Sequence, residues 1–422
     1  MKRIAHARPV RQGVLRYFSS SNTNNATAQA QAQKSTVASR RRQNSIRASY
    51  YRGGTSRAIM LRREDLPSDK SQWDRIFLGC IGSPDPYWRQ LDGMGGGISS
   101  LSKVCVVGAS THPEADVDYT FVSLGIDDEK VDYSSNCGNM LGAVGPYAID
   151  TGITPIRMNE KEDDKGDDGG EEEEDEVTVR IHNTNTGKII YSTFAVVDGE
   201  AAAYGPFEID GVAGTASPVK LQFMRPAGSR TGKLFPTGST TDTFINGKIT
   251  ATCIDAANPC VFVSAAQLDV SGNITPQQID DHPTLKSTLE SIRRQAAVKM
   301  GLASTEDQTP GSVPKIGIVA PPADLSSGSS SIEVRAMSVG QPHKAIPVTV
   351  ALAIAAAAKT RGTTVFENVA KDEGASDGAP TVIRHASGVL SVDGKFSDAG
   401  ELESATVLRT ARRLFEGKVF WK

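Results

Sequence analysis

Four short stretches concentrate the residue types that bind anions and move protons. They are "YRGGTSRA" (Tyr51 to Ala58), "DGMGGGISSLSKV" (Asp92 to Val104), "SSNCGNM" (Ser134 to Met140) and "GQPHKA" (Gly340 to Ala345). Glycine lets backbone N–H groups approach a ligand, and hydroxyls and amides add neutral donors. With Arg57, Lys103 and Lys344 in these stretches, the shared preference is for an anion. The planar fork of Arg57 suits a carboxylate. Taken singly, each stretch reads equally well as a tight turn.

Two residues stand out as proton carriers. Lys103 opens the apolar run "SKVCVVG", where desolvation or neighbouring cations would favour the neutral amine and make it a base. The plainer alternative is a solvated lysine at a strand start. Cys137 directly precedes a small-residue apolar segment, and unpaired N–H groups at a helix N-terminus stabilise a thiolate and an anionic substrate alike. Its alternative is a small buried structural cysteine. The other cysteines in "SKVCVVG", "TATCIDA" and "NPCVFV" read as strand core, with Cys260 beside the Asn258-Pro259 turn. No GxxxxGK[ST], GxGxxG or GxSxG order is present, which argues against a nucleotide site and a hydrolase elbow. No Cys or His spacing fits zinc, and an odd five cysteines do not make a disulfide framework.

The elements that must hold these residues are short β-type runs separated by Gly, Pro and Asp, interrupted by two apolar, Ala-rich helices. The helices are expected at about Gly138 to Asp150 and Ala345 to Lys359. A helix apolar on every side must be buried, so the pattern predicts an α+β fold of two similar halves, each a strongly bent sheet around one central helix. If the halves correspond, His343 faces Cys137 across a cleft. Asp281 to Leu302 reads as an amphipathic outer helix.

Charge sets apart two further segments. The first acidic residue is Glu64, and "MKRIAHARPVRQGVLRYFSSS" is rich in Arg and Ser, the composition of a mitochondrial transit peptide. Residues 1–47 are therefore expected to be a basic leader, with the mitochondrial matrix as address and the cytoplasm as alternative. Ten of the 46 Lys and Arg precede residue 49, leaving 36 against all 49 Asp and Glu, which argues against a nucleic-acid partner. No apolar run is long enough to span a membrane as a helix. "NEKEDDKGDDGGEEEEDE" (Asn159 to Glu176) is a like-charge block expected to be a solvated loop insertion.

As a set, "YRGGTSRA", "LDGMGGGISSLSKV", "SSNCGNM", "FPTGS", "IDAANPCVFV" and "RHASGVL" resemble, in order, the PrpF-like methylaconitate cis-trans isomerases, which have the diaminopimelate-epimerase fold. The resemblance runs from about Tyr50 to the C-terminus. It implies two topologically alike domains, 48–212 with the 159–176 insertion and 213–422 with its last strand returning to the first, each a curled, barrel-like sheet around a central helix, with the active site in the cleft between them. It implies an isomerase of small unsaturated tricarboxylates that uses neither metal nor organic cofactor. Lys103 takes the role of base, and Cys137 that of the motif thiol that shuttles the second proton or lines the site. Thr55, Ser56, Arg57, the backbone of Gly95, Gly96 and Gly97, and Asn136, Gly138, Asn139 and His343 are implied as carboxylate binders. The alternatives are a keto-enol tautomerase of an oxalomesaconate-like acid and a noncatalytic helper of an aconitase-type dehydratase. A small di- or tricarboxylate is the expected partner, with a homodimer as an open expectation.

Overall fold

Apolar alternation decides which face of each strand turns inward, and two helices decide what it turns toward. The computed structural model describes residues 42–157, 175–323, 330–371 and 379–422. The basic leader up to residue 41, and the acidic insertion except Asp175 and Glu176, lie outside the described residues. Residues Ser45–Lys422 close into one compact unit.

Its first half begins with the hairpin β1 (Asn44–Gly53) and β2 (Ser56–Arg62). A crossover through α1 (Trp73–Ile81) sets β3 (Lys103–Ala109) parallel to β2, and β4 (Val117–Leu124) returns antiparallel. A second crossover, α2 (Gly138–Asp150), sets β5 (Glu176–Asn183) parallel to β4, and β6 (Lys188–Val197) and β7 (Pro218–Met224) follow antiparallel.

The second half repeats this order strand for strand. The hairpin is β8 (Ile249–Ala256) and β9 (Asn258–Ser264), followed by α3 (Leu285–Lys299), β10 (Lys315–Ala320) and β11 (Ser330–Ser338). Then come α4 (Val348–Ala358), β12 (Thr381–His385), β13 (Gly388–Phe396) and β14 (Leu402–Trp421), with the same succession of parallel and antiparallel pairings. The long β14 pairs with β13, β7 and β1, so the last strand of the second half completes the sheet of the first. This is the α+β, diaminopimelate-epimerase-like architecture of two curled sheets with a central helix each.

The period of two along each strand sorts the core into layers. Val104 and Val106 of β3 pack outward with α1, whereas Cys105 and Val107 pack inward with α2. Ile316 and Ile318 of β10 likewise face α3, and Val319 joins the cluster around α4. Every residue of α4 is buried, and in α2 only Asp150 is not. At about 1.5–3 kcal/mol for each large apolar side chain fully buried, these two helices anchor both halves. The second helix starts later than its apolar run because Pro347, extended at ψ 132, is its N-cap. The amphipathic helix is shorter than its pattern for a similar reason: Pro283 pushes His282 to ψ 128 and separates Pro276–Asp281 from α3.

Candidate active site

Strand periodicity delivers two lysines to the same place. Lys103 is the first residue of β3 and shares the inward face with Cys105 and Val107. Its Nζ donates to the Ser99 carbonyl at 2.5 Å and stands 5.4 Å from the centre of the Phe121 ring. Lys315 is the first residue of β10 and donates to the Ser312 carbonyl at 3.2 Å. Each is only 8% exposed. Burial first, and then the Lys103 charge, push the Lys315 ammonium below the usual lysine range.

The two central helices meet end on. A β-carbon on Gly138, the first residue of α2, would stand 2.6 Å from Cβ of Val348, the first residue of α4, so only glycine permits this approach. Cys137 is the extended N-cap of α2, at φ −112 and ψ 94, and is half-buried. First-turn N–H groups have no intrahelical partner, so both helices present positive dipole ends to the cleft.

A polar clamp joins the loops of the two halves. Asn258, fully buried at the start of β9, accepts the Asn136 N–H at 3.2 Å and donates to the Asn136 carbonyl at 3.0 Å and to Thr349 Oγ1 at 3.3 Å. Asn183 donates to Asn136 Oδ1 at 3.3 Å. Asp132 accepts the Ser134 N–H at 2.7 Å and the Ser312 N–H at 3.2 Å. Burial pushes the Asp132 carboxyl up, but the bonds from Ser134 and Ser312 outweigh it and hold it below its usual value.

These groups enclose a cavity of about 30 Å³, lined by Ser56, Lys103, Asn136, Cys137, Gly138, Asn139, Lys315 and His343 together with Phe121, Ser123, Ser135, Ser312, Ser338 and the Pro347–Thr349 turn. Among the described residues no Asp or Glu lines it. An outer space of about 240 Å³, lined by Thr55, Ser99, Ser100 and Lys344, shares His343 with it. The inner cavity holds roughly one water, so any larger ligand extends into the outer space. His343 Nδ1 lies 2.8 Å from the Ala345 carbonyl, which only accepts; Nδ1 therefore carries the proton and Nε2 is an acceptor. Burial pushes this imidazole down to about 4, so it stays neutral at pH 7.

Most of the residues singled out in the sequence converge here, and some do not. Thr55 belongs to the outer space and lies 3.2 Å from Asn139 Nδ2, which donates to it. Arg57 is exposed, with its guanidinium 5.8 Å from the Tyr50 ring centre, and lines neither space. Gly95, Gly96 and Gly97 line neither space either. They shape a loop hung on Gln90, whose Oε1 accepts the Gly97 N–H at 2.8 Å and Ser102 Oγ at 2.7 Å. That loop sets the Ser99 carbonyl under Lys103. The residues not foreseen are Lys315, Ser312, Ser338 and the clamp role of Asn258. The signal for Lys315 is in the letters: "SVPKIGIVA" places a lysine at the mouth of an apolar strand as "SLSKVCVVG" does.

A pocket with two lysines, two helix N-termini and no acid among the described residues that line it suits a small anion. Comparison with known proteins agrees. The chain is 38% identical over 87% of its length to 3-methylitaconate isomerase of Eubacterium barkeri, 95% of which is covered. It is 37% identical to (4E)-oxalomesaconate Delta-isomerase of a Novosphingobium strain, over 88% of this chain and 96% of that one. It is 36% identical to 2-methyl-aconitate isomerase of Shewanella oneidensis, over 89% and 96%. The solved methylitaconate-delta-isomerase superposes with a TM-score of 0.69 at 36% identity, covering 90% of this chain and 96% of that one. A hydroxyproline epimerase from Agrobacterium vitis shares the fold alone, with a TM-score of 0.51 at 11% identity, over 89% and 92%. The family profile described as PrpF protein matches residues 43–422, and the chain belongs to that family.

Proposed function

We propose that this protein is an isomerase of small unsaturated di- or tricarboxylic acids, acting by allylic proton transfer. The observation that carries the proposal is the convergence of Lys103, Lys315 and two helix N-termini on one cavity without a carboxylate. Lys103 takes a proton from the carbon between a carboxylate and the alkene. The C–H electron pair moves into a dienolate, whose charge is held by Lys315 and the first-turn N–H groups of α2 and α4. Return of a proton to the far end of the three-carbon system shifts the double bond, and rotation before its return to the original carbon exchanges cis for trans. Cys137, at the N-cap of α2, lines the path of that second proton. Asn136, Asn139, Ser56 and neutral His343 hold the substrate's remaining oxygens.

The test is incubation with cis-aconitate, trans-aconitate, 2-methylaconitate and 3-methylitaconate in deuterated buffer, followed by proton NMR. Isomerisation with C–H exchange that vanishes in Lys103→Ala supports the reading; a normal rate in that variant ends it. A second reading, tautomerisation of an oxalomesaconate-like acid, is favoured by the 37% identity to the Novosphingobium enzyme, which lies between the 38% and 36% of the other two. Product identity separates the two. The basic leader supports the mitochondrial matrix as the address, which a fluorescent fusion of residues 1–47 tests by its localisation.

A further inference from the structure

A second cavity, of about 670 Å³, shares no lining residue with the inner cavity between the helix N-termini and meets the outer space only at Thr55 and Ala345. Its lining includes a buried arginine that has no ion pair among the described residues. Arg409 on β14 is 5% exposed, and its side chain lies over two glycines. A β-carbon on Gly54 would stand 3.1 Å from Arg409 Cδ, and one on Gly142 would stand 3.2 Å from Arg409 Cβ. The guanidinium makes one hydrogen bond among the described residues, from Nη1 to the Leu408 carbonyl at 3.0 Å, and its Nε has no partner. Burial alone pushes it down to about 10, with no carboxylate acting against that shift.

An unpaired buried cation is costly, and a structure that keeps one beside a cavity holds a place for the counter-charge. Three acids line the same cavity: Glu208 is exposed to solvent on its rim, and the other two are engaged with other groups. Asp210 accepts the Val389 N–H at 2.5 Å, and Asp393 pairs with Lys359 at 2.9 Å. His385, the histidine of "RHASGVL", shares the cavity; burial, opposed by Asp210 and reinforced by Arg409, pushes it down to about 4 and keeps it a neutral donor or acceptor. Much of the remaining wall is apolar, with Ile346, Leu390, Val392 and Val407. One planar fork, one buried positive charge and an apolar wall match a carboxylate on a short hydrocarbon body better than a phosphate dianion.

We propose that this cavity is a second ligand site, which binds a small monocarboxylate with an apolar body through the guanidinium of Arg409. The inference goes beyond the isomerase reading and stands or falls without it. The test is calorimetric titration of the full chain with hexanoate, and in a parallel arm with inorganic phosphate, in the wild type, Arg409→Met and Lys103→Ala. The wild type and Lys103→Ala bind hexanoate at one site per chain, and Arg409→Met weakens it by about tenfold or more, the loss of a charged double hydrogen bond. Arg409→Met also melts no lower than the wild type without ligand, because the unpaired charge is gone. Retained binding in Arg409→Met, loss in Lys103→Ala, no binding to the wild type, or binding of phosphate without hexanoate each overturns the proposal. Should Arg409→Met not fold, Lys220→Glu on the exposed rim of the same cavity weakens hexanoate several-fold, and unchanged affinity there counts against the site.

Discussion

Lys103 and Lys315 are the same position in two copies of one seven-strand design, yet their surroundings differ. Each opens the third strand of its half, and each ties its ammonium to a serine carbonyl just upstream. Lys103 lies over the Phe121 ring and beside the half-buried Cys137, at the end of a helix entered through an extended N-cap thiol. Lys315 stands opposite, and its own half enters its helix through Pro347, which has neither a thiol nor an N–H to offer. Duplication supplied two cations, and only one half kept a proton-carrying side chain at its helix entrance. A symmetric scaffold thus yields an asymmetric site, and the proposed mechanism puts the proton transfer on the first half and charge on the second.

Substitutions can break this comparison, and the largest effect is expected from the base. Lys103→Ala lowers kcat by about 10³-fold, the range of a positioned general base, and steady-state rates on the preferred acid check it. Lys315→Met raises KM by roughly tenfold to a hundredfold through loss of a charged hydrogen bond to substrate. If it instead abolishes kcat and leaves KM alone, the roles of the two halves are reversed. The same variant sharpens the comparison in the absence of substrate. Because the folded-state pKa of Lys315 is lowered, the native chain binds its proton less tightly than the unfolded chain. That costs stability below the folded value, and the cost disappears as pH rises through the unfolded value of about 10.4. Lys315→Met therefore melts higher than the wild type at neutral pH, and the advantage fades toward that pH.

Smaller effects test the contact between the halves. Gly138→Ala forces a methyl group against Val348 and destabilises the protein by about 1–3 kcal/mol in urea unfolding. Cys137→Ser lowers the rate by about tenfold, the scale of one neutral hydrogen bond. A loss as large as that of Lys103→Ala would make the thiol an equal partner in proton transfer. Arg57→Ala, at an exposed position outside both spaces, changes stability by no more than about 0.5 kcal/mol and leaves KM unaltered.

What the sequence revealed of this site followed local rules. The small-residue run after Cys137 placed α2 at its observed boundaries, and the apolar run after Lys103 turned that side chain inward. The same rule applied to "SVPKIGIVA" finds Lys315, but only once the halves are aligned element by element, because their letters differ. The clamp by Asn258 had no local signal beyond a turn, since its partners Asn136 and Thr349 lie 122 and 91 residues away. The Gly95 to Gly97 loop shows the converse. Its composition suits a ligand cradle, and the glycines instead serve a turn held by Gln90, with Gly97 at φ +70. Arg57 fitted a carboxylate by chemistry alone, but strand alternation turns it to solvent while Ser56 and Ala58 point inward.

The twenty-residue β14 also sets the order of events during synthesis. The ribosome finishes β1 to β7 and α2 long before the strand that pairs with β1 and β7 exists. The early half therefore waits with an open seam and an incompletely walled helix while the later half is translated. The gap between β1 and β7 is filled only when this final ribbon is laid in. A chain that stops short of Leu402 loses the pairings of β14 with β1 and β7 in the first sheet and with β13 of the second half.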